Sequence, residues 1–203
     1  MNRSAVGTDS ELANGKLELD SPAYIHPTAV LLGNVEIQKG ASVFAYSVIR
    51  SEAFAVVIGR GTNVQEFSMI HVGDFSGTQI GENCSLSYRC TLRGCTIEDN
   101  VLIGISSTVM DGAHIGANSI VAAHSYVEKN AVFEPDSVIA GVPAKVVGRR
   151  DCSAVAMVNA RLYSVISKNY ADGLERLSDA QLKEIADFVG QTMNGENAGG
   201  SKA

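Results

Sequence analysis

No stretch of this 203-residue chain stays apolar for the roughly 20 residues that a membrane-spanning helix needs, so the sequence argues against membrane insertion. The opening MNRSAVGTDSELANGKLELD lacks the apolar segment of a secretory signal, and a soluble cytoplasmic protein is expected. Lysine and arginine number 16 against 22 aspartates and glutamates, a formal net charge of −6, and no basic run occurs. That removes the electrostatic footprint of a nucleic-acid binder. CxxC pairs are missing as well. Cys84, Cys90, Cys95 and Cys152 lack the spacing of a tetrahedral metal site, and in a reducing compartment they read as small packing residues.

What the chain does have is a beat of six. Ile25, Leu31, Ile37, Val43 and Ile49 begin it, and Ile58, Val64 and Ile70 resume it. Ile80, Leu86 and Leu92 continue, and Ile97, Ile103, Val109, Ile115, Val121, Val127, Phe133 and Ile139 complete it. This period predicts an all-β solenoid in which each hexad is one short strand plus a turn, three hexads close a triangular coil, and the aliphatics point inward. Gly33, Gly59, Gly81, Gly104 and Gly116 are expected at corners that need permissive dihedrals. The count breaks at residues 50 to 57 and 71 to 79, which should leave the scaffold as loops.

The boundaries that follow are a polar segment over 1–20, the solenoid over 21–148, a helical segment over 149–193 and a disordered tail over 194–203. In the helical segment Val155, Val158, Leu162, Val165 and Ile166 line one face. A second amphipathic stretch with Leu182, Ile185 and Val189 follows a capping-box spacing from Ser178 to Gln181. Such helices cover a solenoid's flanks or grip a neighbouring subunit.

Counting coils also predicts which polar side chains stack. Ile49, Ile70 and Leu92 share a face once the breaks are skipped, so Arg50, His71 and Arg93 form a column, with Met110 next. Adjacent coils lie about 4.8 Å apart. A second column brings Glu66 near Tyr88, with Asn63 and Gln65 on the same coil. A threefold assembly would turn these surface columns into clefts between subunits.

The segment Ile49-Arg50-Ser51-Glu52, the run Thr62-Asn63-Val64-Gln65-Glu66, the pair His71-Val72 and the stretch Leu92-Arg93-Gly94-Cys95-Thr96-Ile97 resemble gamma-class carbonic anhydrases and their relatives. The similarity extends over roughly residues 20 to 175, including Gly141-Val142-Pro143-Ala144-Lys145 and a helix carrying Asn159 and Tyr163. The resemblance implies a homotrimer of left-handed parallel β-helices with C-terminal α-helices. It also implies a zinc or iron site at each subunit boundary, held by three histidines. By position those ligands fall on His71, Arg93 and Tyr88, so only His71 survives. A guanidinium cannot ligate a cation, and no cofactor is expected unless the missing ligands come from elsewhere, such as an active paralogue in a mixed trimer. The family's Arg-Gly-Asp appears as Arg50-Ser51-Glu52, and its Asp after the glutamine as Glu66; these residues are expected at the subunit interface.

Without a metal, Arg50 and Arg93 around His71 should favour a small anion or carboxylate and keep His71 neutral near pH 7. Robust carbon dioxide hydration, which needs a metal-bound hydroxide, is not expected. Two other activities fit the resemblance: hydrolysis of an acyl-CoA thioester, and a hexapeptide-type acyltransferase using His26, His114 or His124 as base.

Overall fold

The computed structural model describes residues 16–199. Its centre is a left-handed parallel β-helix, the handedness that departs from the usual right-handed crossover. Hexads become two-residue strands joined by tight turns, and three stacks of strands make three flat faces. The first face stacks the leading half of Val48–Ile58 with Met69–His71, Thr91–Arg93, Thr108–Val109 and Tyr126–Val127. The second stacks the trailing half of Val48–Ile58 with Thr78–Ile80, Thr96–Ile97, His114–Ile115 and Val132–Phe133. The third runs from Tyr24–Ile25 through Ser42–Val43, Asn63–Val64, Ser85–Leu86, Leu102–Ile103 and Ile120–Val121 to Ser137–Gly141. There Ala144–Arg149 folds back as an antiparallel strand.

The six-residue beat is the core. Its aliphatics from Ile37 to Val127, with Ile139, are buried in one continuous cluster, and Ile25 and Leu31 are half-buried beside it. Each such side chain contributes roughly 1.5–3 kcal/mol relative to exposure, so the register of coil on coil is set by where these residues must point.

Four of the five glycines play a different part from the one their corner positions suggest. Gly33 does need its φ of +84°, and a Cβ there would meet the Ser51 carbonyl oxygen. Gly59, Gly81, Gly104 and Gly116 have no positive φ; the left-handed corners are taken by Tyr46, Phe67, Arg89, Ser106 and His124 in one column, by Gly40, Gly61, Asn83, Asn100, Asn118 and Asp136 in a second, and by Gly112 and Asn130 in a third. Those four glycines answer to coil spacing instead, as a Cβ on Gly116 would lie 2.3 Å from the Pro135 nitrogen.

The first break in the beat is not a loop over 50 to 57. Strand pairing persists through Val48–Ile58, and only Glu52 to Ala55 bulge, standing against the single residue Asn34, because Gly33 faces Ser51 while Val35 already faces Val56. The second break is a loop between Met69–His71 and Thr78–Ile80, with Phe75 90% exposed at its tip.

Leu17–Leu19 pairs as a strand with Val35 to Ile37, within the segment expected to precede the solenoid. Residues 1–15 lie outside the described residues. Helix α1 (Ser153–Ala171) lies along the third face, against Tyr24–Ile25, Ser42–Val43, Asn63–Val64 and Ser85–Leu86. It buries Ala156, Ala160, Tyr163 and Ser167, whereas Val155, Val158, Leu162 and Ile166 of the expected stripe are only half-buried. A flat sheet admits a helix closely where its side chains are short, so small residues outcompete the aliphatic stripe for that contact. Helix α2 (Asp179–Gly199) starts at the predicted capping box: the Gln181 amide donates to Ser178 Oγ at 3.3 Å and the Ser178 amide to Gln181 Oε1 at 2.9 Å. It runs beyond residue 193, where a disordered tail was expected to begin, and residues 200–203 lie outside the described residues.

Candidate functional site

Arg50, His71 and Arg93 occupy equivalent positions on three successive coils of the first face, as the count of hexads requires. Their side chains are not a bare stack of cations around an imidazole. The bulge opposite Asn34 carries Glu52 back over the column, where Oε1 accepts from the Arg50 guanidinium and Oε2 lies 2.8 Å from His71 Nε2. A carboxylate brings no proton to that contact, so the hydrogen sits on Nε2. The hydrogen bond from His71, with the charge of Arg50, holds the Glu52 carboxyl below the ordinary carboxylate range.

Arg93 is engaged on its other side. Its guanidinium donates to Asp74 Oδ1 at 2.6 Å and to Asp111 Oδ2, and the Asp74 amide donates to Asp111 Oδ1 at 3.3 Å. Arg93 thus ties the loop after His71 to the next coil, and its hydrogen bond holds the Asp74 carboxyl below its usual range. Ser76 Oγ adds a 3.0 Å bond to the Gly94 carbonyl. Both guanidiniums therefore face carboxylates rather than standing as two free cations beside His71. The carboxylates arrive from a four-residue bulge and a six-residue loop that leave the hexad count.

The second column is also in register, since Asn63 and Val64 pair with Ser85 and Leu86, bringing Glu66 and Tyr88 to adjacent corners. Tyr88 and Tyr163 of α1 share a hydroxyl–hydroxyl bond of 2.9 Å. Burial, followed by the Tyr88 contact, pushes the Tyr163 hydroxyl well above the phenol range. One Glu66 carboxylate oxygen, Oε2, is buried with no hydrogen-bond partner. Asn63 and Gln65 do not line a surface of the chain: they are 1% and 2% exposed on the third face, which α1 covers. Asn63 Nδ2 donates to Ser85 Oγ at 2.8 Å, and Gln65 Nε2 donates to Asn63 Oδ1 at 3.0 Å.

The residues singled out in sequence therefore form two groups within one chain. Arg50, Glu52, His71 and Arg93 share the first face; Glu66 and Tyr88 stand at the corner between the third face and the first. Asp74 and Asp111 escaped the sequence reading, although Asp111 directly follows Met110, the next member of the Arg93 column. Of the other histidines, His114 places Nε2 2.8 Å from Glu98 Oε1, His26 Nδ1 meets Thr28 Oγ1 at 2.8 Å, and His124 occupies a left-handed corner. Burial pushes the thiols of Cys84, Cys90 and Cys95 up to about 12, so they stay protonated packing groups. Among the described residues, no group of three or more His, Cys, Asp and Glu is arranged to hold a metal ion, and no helix is long and apolar enough to cross a membrane.

The Glu52 contact has a pH signature. Its carboxyl is depressed in the folded chain relative to about 4.3 for a free glutamate, so the stability it adds is present above that value and is lost as pH falls through the folded pKa. The wild-type melting temperature should therefore fall more steeply below about pH 5 than that of Glu52→Gln. Parallel acid limbs for the two proteins would show that the carboxylate does not engage the column in solution.

Residues 94–129 match the family described as bacterial transferase hexapeptide (six repeats). The chain is 31% identical over 161 residues to gamma carbonic anhydrase 1, mitochondrial, of Arabidopsis thaliana, a match covering 75% of this chain and 58% of that protein. It is 34% identical over 156 residues to the carnitine operon protein CaiE of Proteus sp., covering 75% of this chain and 78% of that one. Among solved structures, a hexapeptide transferase family protein from Anaplasma phagocytophilum superposes with a TM-score of 0.72 at 29% identity, covering 76% of this chain and 92% of that chain. The chain thus spans little more than half the length of the plant relative it matches.

Proposed function

The chain belongs to the hexapeptide-repeat family that includes CaiE and the gamma carbonic anhydrases, and from that premise we propose that it is a trimeric ligand-binding relative whose metal centre has given way to an ion-pair network. The observation that carries this reading is Arg93. It stands where the resemblance puts a metal-ligating histidine, and Asp74 and Asp111 fix its guanidinium there. The donor set does not suit zinc or iron: His71 Nε2 faces Glu52, the Tyr88 hydroxyl faces Tyr163, and Arg93 supplies only N–H donors. No hydration step follows from these groups.

A small carboxylate or other anion would bind here by displacing Glu52 from Arg50 and His71. Glu52 is 57% exposed on its four-residue bulge, so an incoming carboxylate exchanges one Arg50 and His71 partner for another with little reorganisation. In the trimer that the resemblance implies, the corner carrying Glu66 and Tyr88 would close this face from a neighbouring subunit. Asn63 and Gln65 would then act from beneath, by holding the strand that presents that corner.

A second reading is acyl transfer or thioester hydrolysis, favoured by one arrangement: Glu98 orients His114, as a general base requires, on the second face of the solenoid. One set of measurements on the purified chain separates these readings. Sedimentation should give three subunits, elemental analysis far less than one transition ion per subunit, and acetate or bicarbonate should bind saturably and more weakly to Arg50→Ala. Close to one tightly held ion per subunit with carbon dioxide hydration would overturn the first reading. Turnover of an acyl-CoA panel that vanishes in His114→Ala would establish the second.

A further inference from the structure

The end of the solenoid formed by the first coil is open. Leu17 faces Val35 and Leu19 faces Ile37, so the two leucines head the inward columns of the second face, and Leu19 stands one hexad before Ile25 on the beat of six. Both are 38% exposed, and Ile25 and Leu31 beside them are only half-buried. The opposite end is closed, since Val127 and Ile139 are completely buried and Phe133 is 7% exposed. The strand edges of the first coil are open as well. Among the described residues, Leu17–Leu19 pairs only with Val35 to Ile37, Tyr24–Ile25 only with Ser42–Val43, and the leading residues of Val30–Ile37 only with Val48–Ile58. A stacked-repeat protein ordinarily ends in a coil with a polar outer surface, and an unpaired edge with aliphatics behind it is a template for another strand.

A cover for this end has to offer strands and aliphatics together, and an identical end does so. A two-fold axis across the solenoid lays Leu17–Leu19 antiparallel on its own copy and sets Tyr24–Ile25 against the leading residues of Val30–Ile37 in that copy. Leu17, Leu19, Ile25 and Leu31 then close over the same four residues. The charges suit this pairing. Read antiparallel against itself, Lys16-Leu17-Glu18 is its own complement: with Leu17 opposite Leu17, each Lys16 faces Glu18 of the second copy. Within one chain these two side chains already pair at 2.5 Å, so the ion pair is exchanged across the contact rather than lost.

We infer that this end is a self-association surface, on which a second copy of the chain docks by its own first coil. The contact is a single coil deep, in the size class of weak, concentration-dependent interfaces. It does not depend on the trimer proposed above: occupancy of this end doubles whatever particle carries it, a single chain or three.

Sedimentation equilibrium of the full chain between about 10 µM and about 1 mM tests it. The mean mass should climb from its dilute limit toward twice that value in the wild type and stay at the limit in Leu17→Glu. Lys16→Glu and Glu18→Lys each set like charges opposite one another and should also hold it there, whereas the double variant Lys16→Glu with Glu18→Lys should restore the climb. Disruption of the pair within one chain does not account for this pattern, because Lys16 is 78% exposed and such pairs are worth little. If Leu17→Glu does not fold by circular dichroism, the charge variants carry the test. A wild-type mass that stays constant over the range would overturn the inference and leave this end to residues 1–15 of the same chain or to another partner. So would undiminished association in Leu17→Glu, or a double variant that fails where the single variants fail. A dilute limit other than three subunits would count against the trimer alone.

Discussion

Leu92→Ala is expected to lower the unfolding free energy by about 2–5 kcal/mol, the range for emptying a large buried aliphatic site. Leu92 is fully buried and sits in register between Ile70 on one coil and Val109 on the next. A solenoid has nearest-neighbour contacts along its axis, so a void there weakens both interfaces of the coil that carries Arg93. Urea denaturation followed by circular dichroism measures the effect. A loss under about 1 kcal/mol would mean that neighbouring coils collapse into the space, and that the coil spacing is softer than the close approach at Gly116 implies.

Arg93→Ala should be the next most damaging change, read as a lower urea midpoint than that of the wild type. It strands Asp111, whose side chain is only 7% exposed, with little beyond the Asp74 amide, while Arg93 itself is 30% exposed and part of its pairing energy is screened by water. The double variant Arg93→Ala with Asp111→Asn should recover part of the loss, because the uncompensated carboxylate is removed with its partner. Hydrogen exchange should quicken in residues 72–77, the loop that Arg93 ties down through Asp74. If the two substitutions add without coupling and the loop stays protected, Arg93 is not the anchor of this network, and its reading as a replacement for a metal ligand fails with it.

The solenoid was legible because its core repeats: sixfold aliphatic spacing has no comparable outcome in a helix or a hairpin, and each buried residue restates the register of the one before it. Hence Arg50, His71 and Arg93 could be aligned by counting, across two interruptions of unequal length. What the side chains of the interruptions do could not be counted. Glu52 and Asp74 reach the column from segments with no period, and their positions follow from local backbone paths rather than from phase. Asn63 and Gln65 misled for a related reason. Polar residues in a short strand read as surface, but here they satisfy one another beneath a helix whose small side chains were the less conspicuous face of its sequence.

Every strand pairing in the solenoid runs in one direction until Ala144–Arg149 lies against Ser137–Gly141 the opposite way. A second molecule offering its own first coil to that rim would meet a chain of reversed polarity along the third face. End-to-end fibre growth, the standing hazard of any molecule built from identical storeys, is therefore checked at that face by the chain's own last strand.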